Sequence, residues 1–533
     1  MYKRTLFFFL ATVCLLGVVL LRLYVLSAED LSQAAEEQAS VTLSLGTVRG
    51  TIYDRDLQPF VNTEGEWKAA VAPYPQALSR LSETLLPADF SSLLTRLQDG
   101  KPAVIALPEL VVPTGGIVSA RFPVRYGART LAPHAVGYVD AAGKGVSGAE
   151  FVFDELLTSF AGEVRATYAV DAVGAPLEGV EPTVSNTLGN AVGGVALTLS
   201  ADLQSMAEEI AAAYLERGAI LITEPQSGDI LAMVSVPAYQ PQAVADALEE
   251  SGAPLLNRAM TNYNCGSIFK MVTAAAALEA GISPEEKCTC NGSAAVAGTE
   301  FRCHYIFGHG SIDMATGFSK SCNPYFINIG LQLGGERLYQ MASTLGFTRA
   351  ISVAEGWQTA RALLPSVESL TDERALANLA FGQGELMATP VHIAQLVGAI
   401  VNDGQLVRPR LFLGTVDAQG TLHKEESTPP QTVFSASTAE QLRAMMERSM
   451  EDGTGVRGKP FHLTAAAKTG TAETGWYEEG EEVVQHWYAG YYPADAPQYV
   501  VVVLSENMEI SGVRADPAFR EICEALYLRM QQP

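Results

Sequence analysis

Positive charge is scarce in this sequence. Of 533 residues, 35 are Lys or Arg against 59 Asp or Glu, a formal net charge of -24. Phosphate binding needs concentrated Lys and Arg, and no stretch supplies them, which argues against nucleic acid as a partner. Cysteine is scarce too, with seven in all, an odd number. Cys14 lies in an apolar N-terminal run, and Cys288, Cys290, Cys303 and Cys322 crowd into one short interval. A disulfide framework would be distributed more evenly. Internal repeats and low-complexity tracts are absent. The 48% hydrophobic and 18% charged content is that of a folded globular chain long enough for more than one domain.

Long hydrophobic runs are limited to one. Leu6 to Leu21 is interrupted in polarity only by Thr12, and counted to Leu26 the run is 21 residues long. At about 1.5 Å per residue it matches a hydrocarbon layer of roughly 30 Å. Lys3 and Arg4 put the N-terminus in the cytoplasm, and Arg22 and Tyr24 fit the outer interface. The rest of the chain is then expected outside. The rival reading is a cleaved signal peptide, although Val25 and Leu26 spoil the small-x-small pattern before Ser27 and Ala28.

After the run comes an acidic, helical segment (28–38), then strand-like sequence from Val41 to Val61. Residues 65 to 190 are mixed, with short helices in "SSLLTRLQDG", and turn formers in 177–194 place a domain boundary near 190. From Val195 the pattern alternates strand, amphipathic helix and two strands joined by "EPQSGD". "HWYAGYYPADAPQYVVVVLSEN" reads as a second hairpin and "PAFREICEALYLRM" as a closing helix. A sheet covered by helices on its faces accounts for this order.

"CGSIFKMVTAAAALEAG" (265–281) predicts a helix, because Ala, Leu and Met favour one and Gly281 stands at the expected C-terminal cap. Ser267 falls in its first turn and Lys270, three residues on, shares its face. A lysine in so apolar a helix loses hydration, which lowers its pKa and leaves a neutral amine able to act as a base. The helix N-terminus favours negative charge developing on the serine oxygen. A capping serine with a snorkelling lysine is the bland alternative. Two downstream motifs decide between them: Ser321-Cys322-Asn323, 54 residues past Ser267, and Lys468-Thr469-Gly470-Thr471, a further 147 residues on. Gly470 would let a ligand backbone approach a strand edge.

In this order and spacing the motifs resemble those of the penicillin-binding proteins. "RGTIYDRDLQPFV" (49–61) is similar to the element that opens the class B members, and "GYVDAAGKGVSGAEFVFDELL" (137–157) to their Gly-x-Ser-Gly-x-Glu element. "LTLSADLQ", "NRAM", "FGQGELMATPVHIAQ" and "HWYAGYYPADAPQY" fit as well. Two departures stand out. Cys265 replaces a common proline, and Thr158 and Ser159 stand where a glycine is usual. No glycosyltransferase segment precedes the pedestal, which favours class B.

The resemblance implies an α/β (α+β) transpeptidase domain of the penicillin-binding and β-lactamase type, with a central antiparallel sheet flanked by helices, over 191–533. A mixed α/β pedestal (27–190) and one N-terminal transmembrane helix (1–26) precede it. It implies a single-pass cell-membrane D,D-transpeptidase with an extracytoplasmic catalytic domain. Such an enzyme acts on peptidoglycan stem peptides ending in D-Ala-D-Ala, is acylated by β-lactams, and partners a SEDS-type glycosyltransferase. Ser267 would attack the carbonyl and Lys270 accept its proton. Ser321 would relay a proton to the leaving amine, with Asn323 orienting neighbouring groups. Lys468 would help hold Lys270 neutral and offer charge to the substrate carboxylate, which Thr469 and Thr471 would bind. The N–H groups of Ser267 and Thr471 would form an oxyanion hole, worth roughly 3 kcal/mol per donor.

A serine β-lactamase, a β-lactam sensor and an activator of a membrane glycosyltransferase share parts of this pattern. The anchor and pedestal argue against the first, and the 49–61 element against the second. "FGQG" is expected to be a turn shaping the site wall, and Tyr491 and Tyr492 to pack or line the cleft. Packing is the expectation for His134, His392, His423, His462 and His486.

No cofactor is needed for this chemistry. A structural zinc is nevertheless expected at Cys290, Cys303, His309 and Cys322, since thiolate and imidazole are the ligands zinc prefers. Some relatives are expected to hold zinc at matching places. A disulfide or simple burial of thiols is the alternative, and Cys288 or His304 could replace a ligand.

Overall fold

The computed structural model describes residues 2–28, 39–478, 480–506 and 514–531. Most of the predicted acidic helix at 28–38 therefore lies outside the described residues. Tyr2–Ala28 is one α-helix, and its Tyr2–Val25 stretch is long and apolar enough to cross a membrane by length and composition.

The chain divides into two compact units. The first, residues 1–48, 64–124 and 161–190, carries two three-stranded sheets. In one, Ser40–Val48 pairs with Gly162–Ala169, which pairs in turn with Thr183–Asn186. In the other, Glu64–Val71 lies between Ala103–Leu107 and Ile117–Val124. Gly162–Ala169 alternates buried and open positions, the mark of a sheet with one face on a core.

The second unit comprises residues 49–63, 125–160 and 191–533. Residues 49–63 and 125–160 belong to this unit and not with the rest of 27–190. Two long-range bonds explain the difference. Thr51–Tyr53 pairs in parallel with Gly194–Leu197. Glu150, fully buried, accepts from Arg49 Nε at 3.0 Å, Arg125 Nε at 2.6 Å and Tyr126 Oη at 3.0 Å. A carboxylate so enclosed requires partners of opposite charge, and the two family-like elements at 49–61 and 137–157 supply each other's. Asp54, in the first element, caps a helix of the same unit through Ala201 N–H at 3.0 Å.

That helix is α1 (Ala201–Tyr214). The sheet has five strands: β1 (Gly218–Thr223), β2 (Ile230–Val236), β3 (Ala466–Glu478), β4 (Glu481–Tyr492) and β5 (Tyr499–Ser505), in the order β2-β1-β5-β4-β3, all antiparallel. The unbroken "VVVVL" of β5 reflects burial on both faces. Val500, Val502 and Leu504 enter one core, while Val501 and Val503 enter another with the alternate residues of β1. The first core is closed by α2 (Lys270–Glu279), α3 (Asn323–Leu333), α4 (Pro390–Val401) and α5 (Ala436–Asp452). The second is closed by α1 and α6 (Ala515–Met530). Each buried aliphatic side chain contributes about 1.5–3 kcal/mol. β3 is left at the sheet edge, packed on the Gly266–Phe269 turn that leads into α2 and on α5, and that edge is where the polar motifs meet.

Candidate active site

The nucleophile turn departs from the predicted α-helix in its first residues. Gly266–Phe269 forms a 3-10 turn, and the α-helix starts at Lys270. In a 3-10 turn residues three apart eclipse one another, so Ser267 and Lys270 still share a face. Lys270 Nζ lies 3.0 Å from Ser267 Oγ. The other end follows the sequence: Gly281, at φ 79°, and Ile282 donate their N–H groups to the carbonyls of Leu278 and Ala277, closing the helix.

Lys270 is fully enclosed, and its Nζ also reaches Ser321 O at 2.7 Å, Ser321 Oγ at 3.2 Å and Asn323 Oδ1 at 2.7 Å. Burial lowers its pKa from 10.5 to about 7, against a smaller opposing pull from Cys322 and Cys303. Lys468 is equally enclosed and donates to Ser321 Oγ at 3.0 Å and Thr469 O at 2.9 Å. Burial first, and the neighbouring Lys270 second, push its pKa well below the usual lysine value. The Ser321 hydroxyl is thus shared by two amines. Its residue sits at φ 54°, a left-handed conformation that costs a non-glycine residue on the order of 1 kcal/mol. Asn323 is fixed at both ends of its amide, with Oδ1 on Lys270 and Nδ2 donating to Arg302 O at 3.0 Å.

Gly470 has a different task from the one its motif suggested. A Cβ there would lie 2.8 Å from Ile268 Cγ1 and 2.9 Å from Cys265 O, so the missing side chain lets the nucleophile turn itself close on β3. Thr469, Thr471 and Glu473 occupy one face of β3 with their cross-strand neighbours Tyr488 and His486. Thr469 Oγ1 donates to Thr454 Oγ1 at 2.6 Å, and Thr454 N–H donates to Ser319 O.

A cavity of about 450 Å³ opens over these groups, lined by Ser267, Ser321, Asn323, Thr469 and Thr471. Phe381 and Gln383 of the "FGQG" turn form one wall, and Arg302, Cys303 and His304 another. Thr454, Glu473, His486, Tyr488, Arg514 and Asp516 complete it, and none of these was singled out for a site role from the sequence. His486 was assigned to packing, yet it lines the cavity. Its signal is register, since it stands directly opposite Thr471. Tyr491 and Tyr492 are buried in the core. Each of the other histidines assigned to packing has a local partner: His134 bonds Pro254 O, His392 caps α4 with Thr389, and His423 and His462 meet Asp417 and Glu524.

Beside Asn323, Cys290, Cys303, His309 and Cys322 bring their sulfur and nitrogen atoms within 4.8 Å of one another. Cys288 and His304 are not among the four. All seven cysteines are free thiols. Cys303 receives a hydrogen bond from Cys322, which lowers the pKa of Cys303 and raises that of Cys322. Cys303 Sγ lies 3.6 Å from His309 Nδ1. A tetrahedral zinc with bonds of about 2.0–2.3 Å needs four such donors at this kind of separation, and the set fits it.

The model of the penicillin binding protein transpeptidase domain matches residues 218–524. The peptidoglycan D,D-transpeptidase PbpA of Mycolicibacterium smegmatis is 31% identical over 322 residues, covering 55% of this chain and 62% of that protein, less than two thirds of its length. Penicillin-binding protein PbpB of the same organism is 26% identical over 596 residues, covering 98% of this chain and 89% of its own. Among solved structures, penicillin-binding protein A of M. tuberculosis in its penicillin G acyl-enzyme complex superposes with a TM-score of 0.62 at 24% identity, over 78% of this chain and 95% of that one. This last likeness is one of fold.

Proposed function

Because the chain belongs to the penicillin-binding protein transpeptidase family, we propose that it is a peptidoglycan D,D-transpeptidase working through an acyl-enzyme on Ser267. The observation that carries this reading is the enclosed Lys270, 3.0 Å from Ser267 Oγ and with a pKa lowered to about 7. As Ser267 Oγ attacks the carbonyl of the penultimate D-alanine, Lys270 takes its proton. Ser321, between the two amines, passes a proton to the nitrogen of the departing D-alanine as the C–N bond breaks. The amine of a second stem peptide then attacks the ester, releasing Ser267 and forming the cross-link. The N–H groups of Ser267 and Thr471 stabilise the oxyanion. The test is intact-mass analysis after incubation with a β-lactam: one adduct is expected, lost in Ser267→Ala. Labelling that persists in the variant refutes the assignment.

Cys290, Cys303, His309 and Cys322 would hold one structural zinc, which supplies rigidity to the Ser321–Asn323 loop and no step of the reaction. Four convergent soft donors support this reading. Elemental analysis of protein purified without a metal-affinity tag, with thiol counting, tests it. Less than about 0.2 zinc per chain together with oxidised thiols ends it.

The N-terminal helix would anchor the chain in the membrane with the catalytic unit outside, and the anchor and first unit would engage a SEDS-type glycosyltransferase. The apolar length of Tyr2–Val25 supports the anchor. Co-purification from detergent should survive Ser267→Ala and fail when the anchor and pedestal are replaced. Equal recovery after the replacement counts against the partnership.

A further inference from the structure

The β3–β4 hairpin does not stop where the cavity does. β5 pairs with β4 over His486–Tyr492, and among the described residues β3 and β4 run on past His486 as a two-stranded ribbon. Along β4, Tyr488, His486, Val484 and Glu482 alternate onto one face. Thr471 pairs with His486, Glu473 with Val484 and Tyr477 with Glu482, so β3 takes the four steps from 473 to 477 where β4 takes two, and the excess is absorbed in a bulge. Thr471, Glu473, His486 and Tyr488 line the cavity. Tyr477 therefore stands on the cavity's own face of the ribbon, farther out.

The bulge is tied in place. Thr474 Oγ1 donates to Val483 O at 2.6 Å and accepts from Trp476 N–H at 3.1 Å, and Gly475 N–H donates to Glu482 Oε1 at 2.9 Å. Gly475 supplies the left-handed φ of 69° that this turn of the strand takes. A tip so fixed still leaves Trp476 77% and Tyr477 71% exposed, while Trp487 on the same hairpin is fully buried. Neighbouring rings left in water beside a cleft mark a surface that a ligand covers. The sequence from 473 to 482 holds five glutamates and no Lys or Arg. An anionic lipid surface, otherwise a natural partner for exposed Trp and Tyr, is repelled by such a tip.

We propose that Trp476 and Tyr477 form a platform for the saccharide from which the substrate's stem peptide hangs, so that the chain recognises glycan as well as peptide. The inference rests on the transpeptidase reading above. β3 is the last strand of the sheet, and an extended peptide entering the cavity runs along such an edge. From the level of Thr471 to that of Tyr477 the ribbon advances by four residues of β4, His486 to Glu482, roughly 14 Å at about 3.4 Å per residue. A stem of four to five residues reaches about 14–18 Å when extended. One molecule can thus place its carbonyl at Ser267 and its sugar at the tip. The sugar suits the tip chemically, because C–H-bearing ring faces meet the negative faces of aromatic rings and sugar hydroxyls donate to carboxylates. Once joined to a stem, the sugar's acid arm is an amide, so no negative charge opposes the glutamates.

The test uses the full chain in detergent and two competitors with the same stem sequence, one joined to its disaccharide and one without sugar. Each is scored by the concentration at which it slows acylation of Ser267 by a penicillin. In wild type the sugar-bearing peptide is expected to protect at about tenfold lower concentration, the scale of two aromatic contacts. The double variant Trp476→Ala, Tyr477→Ala should lose that preference through weaker protection by the sugar-bearing peptide alone. Trp476→Phe with Tyr477→Phe should recover part of it. The ratio of the two competitors is independent of the fraction of protein folded, so a destabilised variant still answers. Equal protection by both competitors in wild type, protection by neither, or an unchanged ratio in the alanine variant overturns the inference while the transpeptidase reading stands. Absence of Ser267 labelling in wild type overturns both.

Discussion

The reacting centre and the thiol-rich flank meet at three consecutive residues, Ser321, Cys322 and Asn323, yet they are built on opposite plans. On one side two lysines are enclosed without a carboxylate among their described partners. Their hydrogen bonds go to hydroxyl, carbonyl and amide oxygens, so burial is free to push both amines toward neutrality. On the other side four electron-rich donors converge. One plan prepares a base by withholding negative charge, and the other gathers ligands for a cation. The loop between them can hold its left-handed turn at Ser321 because it is gripped from both sides.

The largest expected effect tests the lysine side. Lys270→Ala should slow β-lactam acylation by about 10²-fold, the scale of losing a positioned proton acceptor. A loss under tenfold would move the base to Lys468. The pH profile probes the same plan without a mutation. With the Lys270 pKa near 7, the neutral amine predominates above that value and is lost below it. The acylation rate should therefore fall about tenfold per unit below about pH 7 and level off above it, and a flat profile from pH 5.5 to 8 would contradict it.

The flank should matter less. Cys303→Ser is expected to slow acylation by roughly tenfold, as for an outer partner of a site, and to move the pH midpoint slightly down, because the upward pull of Cys303 on the Lys270 pKa goes with the thiol. An unmoved midpoint would mean that the flank acts through position alone. Smallest is Thr454→Val, which removes the hydroxyl that receives Thr469. A two- to fivefold loss is expected, the usual worth of one neutral hydrogen bond, with melting temperature nearly unchanged. Full activity in this variant would show that Thr469 needs no support.

Much of the reacting centre was legible because its spacing is local or motif-borne. Ser267 and Lys270 share a face in a 3-10 turn as they would in an α-helix, so the mistaken helix type did not displace the pair. The convergence of Cys290, Cys303, His309 and Cys322 was readable from chemistry and crowding. What could not be read was register. His486 and Arg514 reach the cavity only because β3 pairs with β4 residue by residue and because α6 starts beside that hairpin, and Thr454 because the turn after α5 closes on Ser319 O and Thr469. The sequence reading places 49–63 and 125–160 in the 27–190 pedestal, and their membership of the second unit is hidden for the same reason. A buried Glu150 between Arg49 and Arg125 joins residues about a hundred positions apart, and no periodicity announces it.

Gly382 packs its bare Cα against the carbonyl of Gly266, and a Cβ on Gly266 would come within 2.5 Å of Thr471 O. Three segments of the site, the nucleophile turn, β3 and the wall turn, are stacked here with no room for a single carbon. Under selection by a β-lactam such positions are closed to change, because a substitution that spoils drug binding also pries apart the parts that do the work. Substitutions at the open rim, such as at Arg302 and Glu473, carry no such cost. An inhibitor that draws its affinity from the stacked floor and ignores the rim would leave the lineage few places to move.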